Sequence, residues 1–184
     1  LYLADDSGHL HVFDISSASD ITPAPLAGLR GVEFLALSPG GTRLLTGPRS
    51  IITPTATEAL QVWDTDSGRL RLLLSEGGPA MAAAFGYADR LLAVADGWGT
   101  VHLWDLSQGT NLARFENNVD VQALAISPDG RFLAVAAREA AQTWPGLVRV
   151  FDIAPDSLVR QACRRLPPDL AAQTPCPAPG RRIR

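Results

Sequence analysis

The chain has 184 residues, 46% of them hydrophobic and 19% charged, which is too apolar for a disordered segment and too short for several independent cores. A formal net charge of -3 and a pI near 5.5 give no general attraction for phosphate backbones. No apolar run approaches the roughly 18 residues of a membrane helix, and no basic region precedes an apolar core at the start, so neither nucleic acid nor membrane is an expected partner.

In chain order, two short apolar runs, 1–4 and 9–14, are joined by Asp5-Asp6-Ser7-Gly8, a hairpin signal. A loop rich in Ser, Pro, Ala and Gly runs to Gly31, with a weak strand near Ile21. Residues 32–37 are apolar, Ser38-Pro39-Gly40-Gly41 is a tight reversal, and 42–46 and 59–64 continue the pattern. Asp66-Ser67-Gly68 then turns into 69–74, 81–85 leads to a turn at 86–89, and 91–95 passes through Asp96-Gly97-Trp98-Gly99 into 100–105. The runs 111–115, 119–126, 131–136 and 147–152 follow, with Ser127-Pro128-Asp129-Gly130 as a second tight turn.

One strand is made four times: HLHVFD (9–14), ALQVWD (59–64), TVHLWD (100–105) and LVRVFD (147–152), returning after 50, 41 and 47 residues. Four strands fill one period, so each copy is an antiparallel meander with two apolar faces. Such sheets must stack on their neighbours, and a ring of them is a β-propeller. The expected fold is therefore all-β: a partial propeller of four-stranded antiparallel blades, about 3.5 of them, with a short C-terminal helix and tail. Blades are expected over 1–22, 32–74, 80–115 and 119–153, within a propeller segment of 1–153. The first blade lacks an inner strand and the last an outer one, and because Leu1 stands inside a strand pattern, upstream sequence is expected to precede it.

The SPDG turn and the terminal aromatic-Asp pairs resemble the WD-repeat propeller family over about residues 1 to 153. That resemblance implies structural roles for Phe13, Asp14, Trp63, Asp64, Trp104, Asp105, Phe151 and Asp152: aromatics at packing positions, aspartates accepting turn N–H groups. The sequence departs from the family where it carries a Gly-His pair, reading Ala27-Gly28, Ser75-Glu76 and Glu116-Asn117, and where it carries a turn Asp, reading Ser7 or Trp98. The family's buried hydrogen-bond network is thus expected to be absent, leaving apolar packing to hold the blades.

Residues 154–168 read as an amphipathic helix with the stripe Leu158, Val159, Ala162, Cys163 and Leu166, ended by Pro167-Pro168; 169–184 read as a flexible tail. Arg160, Arg164 and Arg165 fall on its solvated face. DSLVRQACRRL followed by TPCP resembles the C-terminal tail of bacterial multidomain proteins in which a WD-repeat propeller follows a signalling NTPase, protease or kinase module. All sixteen basic residues are Arg, an association with GC-rich bacterial genomes. Cys163 and Cys176 could form one disulfide, but a reducing cytoplasm is the expected location and free thiols the expected state.

Catalytic motifs are not evident: no GxSxG, HExxH or phosphate-cradling loop is present. His9 and His11 share a strand, while His102 occupies the position of His11 two blades on. No catalytic residue, metal or cofactor is expected. The connections between second and third strands are the variable ones, and they place Arg49, Trp98, Arg138, Glu139 and Trp144 on one rim, the residue types that interfaces favour. The expected function is a non-catalytic protein–protein interaction or sensing scaffold, with a protein or peptide and the upstream domains of the same polypeptide as partners. The alternatives are an enzymatic propeller whose active site lies in other blades, or a self-assembling half-propeller.

Overall fold

A computed structural model of the chain describes residues 1–5, 9–23, 26, 29, 32–47, 60–74, 79–116, 120–138 and 146–165. Its strands form four antiparallel sheets, each a meander of sequential neighbours. The first holds β1 (Tyr2–Ala4), β2 (Leu10–Asp14) and β3 (Ser19–Asp20). The second holds β4 (Phe34–Leu37), β5 (Arg43–Gly47), β6 (Leu60–Asp64) and β7 (Leu70–Leu74). The third holds β8 (Ala80–Gly86), β9 (Leu91–Asp96), β10 (Thr100–Asp105) and β11 (Thr110–Glu116). The fourth holds β12 (Asp120–Ile126), β13 (Phe132–Arg138) and β14 (Leu147–Asp152), and helix α1 (Pro155–Arg165) follows. This is a partial propeller-like all-β fold with blades of three, four, four and three strands.

Period-two alternation on the strands that end in the aromatic-Asp pairs, β2, β6, β10 and β14, sends one set of side chains forward and the other back. Leu10 and Val12 meet Leu44 and Trp63 between the first and second sheets. Leu60 and Val62 meet Leu92, Val94 and Trp104 between the second and third. Val101 and Leu103 meet Val121, Leu133 and Val135 between the third and fourth. The forward-facing pairs are at most 8% exposed in these three sheets. In the fourth sheet the same register positions hold Val148 and Val150, exposed by 65% and 64%.

The tight turns are tied to one another across sheets. Asp89, in the turn before β9, accepts hydrogen bonds from Gly40 N–H at 3.2 Å and Thr42 Oγ1 at 2.8 Å, both in the reversal before β5. A Cβ on Gly40 would lie 2.4 Å from Asp89 Oδ2, so any larger residue there would push the carboxylate off its partners. Reaching across puts Tyr87, Ala88 and Asp89 all at positive φ, 49°, 51° and 60°, a conformation costing non-glycine residues about 1–3 kcal/mol each. The bonds to the second sheet hold it in place.

Helix α1 begins as its composition dictates, with Pro155 in the first turn, where a missing N–H costs nothing, and Asp156 beside the positive end of the helix dipole. Leu158 packs on the core between the third and fourth sheets. The free-thiol expectation is corrected: Cys163 is disulfide-bonded. That expectation rested on compartment chemistry, which is silent on whether two side chains fall within bonding range. Cys176, the only other cysteine in the sequence, lies outside the described residues, as do 166–184, which were expected to end the helix and form the tail.

The burial contrast sets two equivalent positions against each other. Leu103→Ala is expected to lower the unfolding free energy by about 2–5 kcal/mol. Val150→Ala, at the same register one blade later, should stay within about 0.5 kcal/mol. Urea denaturation of both variants beside the wild type measures the difference.

Candidate functional site

Trp98 stands at the tip of the β9–β10 hairpin, 64% exposed. Its turn is held from below by Asp96, the last residue of β9, which is buried. Asp96 Oδ1 accepts the Trp98 N–H at 3.0 Å and the Thr100 N–H at 2.9 Å. Gly99 supplies the positive φ, 81°, that closes the turn. An exposed indole is thus carried on a backbone fixed by a buried carboxylate.

The same carboxylate continues inward. Asp96 Oδ2 lies 3.3 Å from His102 Nε2, and His102 Nδ1 lies 3.2 Å from Asn111 Nδ2. Both ring nitrogens of the buried His102 thus have a partner, the Asp96 carboxylate on the Nε2 side and the Asn111 amide on the Nδ1 side. In the second sheet, Trp63 Nε1 donates to Thr46 Oγ1 at 2.9 Å, also buried. These are local buried polar bonds in two separate sheets, neither of which joins the Gly-His, turn Asp, Ser/Thr and Trp positions of the family's network. Asp96 stands two residues upstream of the position where the family resemblance places its turn Asp, and it reaches the histidine from there.

The first sheet repeats the arrangement with one change. Asp5 Oδ1 accepts the His9 N–H at 2.9 Å, and Asp5 Oδ2 lies 3.4 Å from His11 Nε2. On the far side His11 Nδ1 meets Asp20 Oδ2 at 3.1 Å, where the third sheet has an amide. His11 lies between two carboxylates and is best satisfied with both nitrogens protonated. Its pKa is raised from 6.5, first by the Asp20 hydrogen bond, opposed by desolvation and reinforced by Asp5. Asp20 in turn is held down to about 2, first by the Thr22 hydroxyl and amide and then by His11. The signal was present in the sequence as an Asp six residues before each histidine, Asp5 to His11 and Asp96 to His102.

The strand-end aspartates accept turn amides: Asp14 from Ser16, Asp64 from Ser67, Asp105 from Ser107 and Asp152 from Ala154. Arg43 and Arg71 pair with Asp64, and Arg90 pairs with Asp105 at 2.9 Å. The Arg90 guanidinium, then Ser107, keep the Asp105 carboxyl at about 2 although burial opposes it. Trp63 and Trp104 are buried against the preceding sheet, Phe151 tilts on Phe115 with centroids 4.7 Å apart, and Phe13 stacks on His11 at 6.0 Å.

Of the expected rim, Trp98 follows the second strand of the third sheet and Arg138 ends the second strand of the fourth. Arg138 is exposed and pairs with Asp120 at 3.7 Å. Arg49, Glu139 and Trp144 lie outside the described residues. Among the described residues no group of three or more His, Cys, Asp or Glu is arranged to hold a metal. Both ring nitrogens of His11 and of His102 are committed to neighbours, so neither can take a proton from a substrate without breaking a bond of the fold.

Four stacked antiparallel sheets define a partial propeller-like all-β protein. No family model and no curated protein matches the chain. Among solved structures, a hydrazine synthase of Kuenenia stuttgartiensis is similar, with a TM-score of 0.65 and 17% identity over 83% of this chain and 42% of that one. The chain thus spans less than half of that neighbour's length, and at this identity the likeness shows the fold alone. Because 896 solved chains match, the architecture by itself selects no function.

Replacing Asp96 by Ala should destabilise the protein by about 1–3 kcal/mol, the cost of orphaning buried donors. It should also speed hydrogen exchange at the Trp98 and Thr100 amides. For His11, an NMR titration should find a pKa above 6.5, and Asp20→Asn should lower it by removing the first cause of the shift. The sign follows from linkage: a raised histidine pKa stabilises the fold fully below the unfolded value and ceases to do so as pH rises through the folded value.

Proposed function

We propose that the chain is part of a WD-repeat propeller acting as a non-catalytic interaction or sensing scaffold for an attached signalling or effector module, in a bacterial multidomain protein. Its partner is a protein or peptide, taken on the rim around Trp98. The observation that carries this reading is the indole itself: a Trp left 64% exposed on a turn pinned by a buried Asp. Large aromatics dominate binding energy at interfaces, and a preorganised backbone lowers the entropy cost of docking. Arg138, at the end of the second strand of the next sheet, adds a second residue type that interfaces favour.

No described helix is long and apolar enough to cross a membrane. A cytoplasmic location, expected from the sequence, belongs to the same reading.

The test is partner capture by the full-length protein. Trp98→Ala should weaken binding of a captured partner at least tenfold, since a central aromatic anchor carries about 2 kcal/mol or more. The thermal midpoint should change little, because most of the residue is exposed. Equal affinity in the two proteins would remove the rim from consideration.

A further inference from the structure

The fourth sheet has one face packed and one bare. On β13, Leu133 and Val135 point back into the core shared with the third sheet, so Phe132, Ala134 and Ala136 point forward. Cross-strand register sets Ala134 and Ala136 opposite Val150 and Val148 on one side and opposite Ala125 and Ala123 on the other. The middle of this forward face is therefore apolar across all three strands, and its Phe132, Val148 and Val150 are exposed. Scattered exposed apolar residues are ordinary; a continuous apolar sheet face is not.

The same chain carries the other half of this joint. On the first sheet, Leu10 and Val12 point forward into the second, so His11 and Phe13 point back, with Leu3 opposite His11. Phe13 holds the register place of Trp63 and Trp104, which turn back onto the preceding sheet, and of Phe151, which packs on the core behind the fourth. His11 brings its own partners, Asp5 and Asp20, as the buried His102 brings Asp96 and Asn111 on the same face of the third sheet. Leu3 and the two valines are exposed, so the two faces do not meet within one chain.

We propose that a second copy of this chain covers the bare face. The fourth sheet of each copy packs on the first sheet of the other, with Val148 and Val150 against Leu3 and Phe13. Continuity with the internal joints selects this occupant: at each of them the forward face meets the back of a sheet with an aromatic at the Phe13 place, and the chain offers one such surface uncovered. A head-to-tail contact either closes into a ring or runs on as a filament. Two copies bring twice four sheets, the top of the usual range of about four to eight blades, so closure at two copies is expected. The self-assembling half-propeller considered from the sequence thereby acquires a defined joint, which does not rest on the rim around Trp98.

Analytical ultracentrifugation of the 184-residue chain tests the proposal. A species with the mass of two 19.6 kDa chains is expected. Val150→Arg and, separately, Leu3→Arg should each weaken the association by about tenfold or more. Far-UV circular dichroism should stay unchanged in both, since each altered side chain is exposed in the single chain. Orientation is read by cross-linking with a short dimaleimide: Val150→Cys mixed with Leu3→Cys should give a linked pair of chains, and neither variant should link to itself. A monomer at every concentration would overturn the proposal, as would masses growing beyond two chains or a dimer unmoved by either Arg variant. Val150→Cys linking to itself would also overturn it, by setting two fourth sheets face to face.

Discussion

Face-to-face stacking of the sheets at one repeated register is the constraint on which the rest depends. The strand of each blade that ends in the aromatic-Asp pair sends two aliphatic side chains forward and an aromatic back: Leu60 and Val62 against Trp63, Val101 and Leu103 against Trp104. Each fully buried aliphatic contributes about 1.5–3 kcal/mol, more than the roughly 1 kcal/mol net of a hydrogen bond. Apolar stacking therefore sets stability, and the polar bonds set alignment. The exposed pair Val148 and Val150 is chemically the surface that holds a following sheet three times in this chain, so that face is equipped to be covered in the same way.

A single atom's chemistry separates the two histidine sites. Both have an aspartate that clamps a turn and touches Nε2; on the Nδ1 side, one offers an amide donor from Asn111 and the other a carboxylate from Asp20. His102 is buried, with an amide on its Nδ1 side. At the first sheet His11 is partly exposed, so water shares the desolvation cost, and two carboxylates can hold a charged imidazole. Burial and the Nδ1 partner thus vary together across copies of one motif.

The repeated architecture was legible because aromatic-Asp endings and alternating runs report strand length, register and period directly. Even the uneven strand count of the blades follows from where those runs fall. The Asp96 clamp was missed for a positional reason: family resemblance directs attention to Trp98, while the carboxylate acts from two residues earlier. Tyr87-Ala88-Asp89 contains no glycine to announce three left-handed residues; only the bonds from Asp89 to the neighbouring blade explain them. The groove that opens between the sheet ends and the first turns of α1 was not legible at all, since it assembles residues from two turns, three strands and a helix whose juxtaposition only the tertiary fold creates.

The two ends of the third sheet are positioned by the same device. At one end Asp96 turns inward and fixes the hairpin that carries Trp98; at the other Asp89 reaches sideways and fixes the strained turn that borders the groove. Burial would push the Asp89 carboxyl up, yet hydrogen bonds from Thr42, Ser38 and the Gly40 amide hold it below its ordinary range, so it stays ionised and keeps accepting near neutral pH. Stacked aliphatic faces alone would tolerate sliding, because dispersion has little directional preference. Charged acceptors at strand ends remove that freedom, which is how a core of Leu, Val and Ala can present loop surfaces with a defined shape.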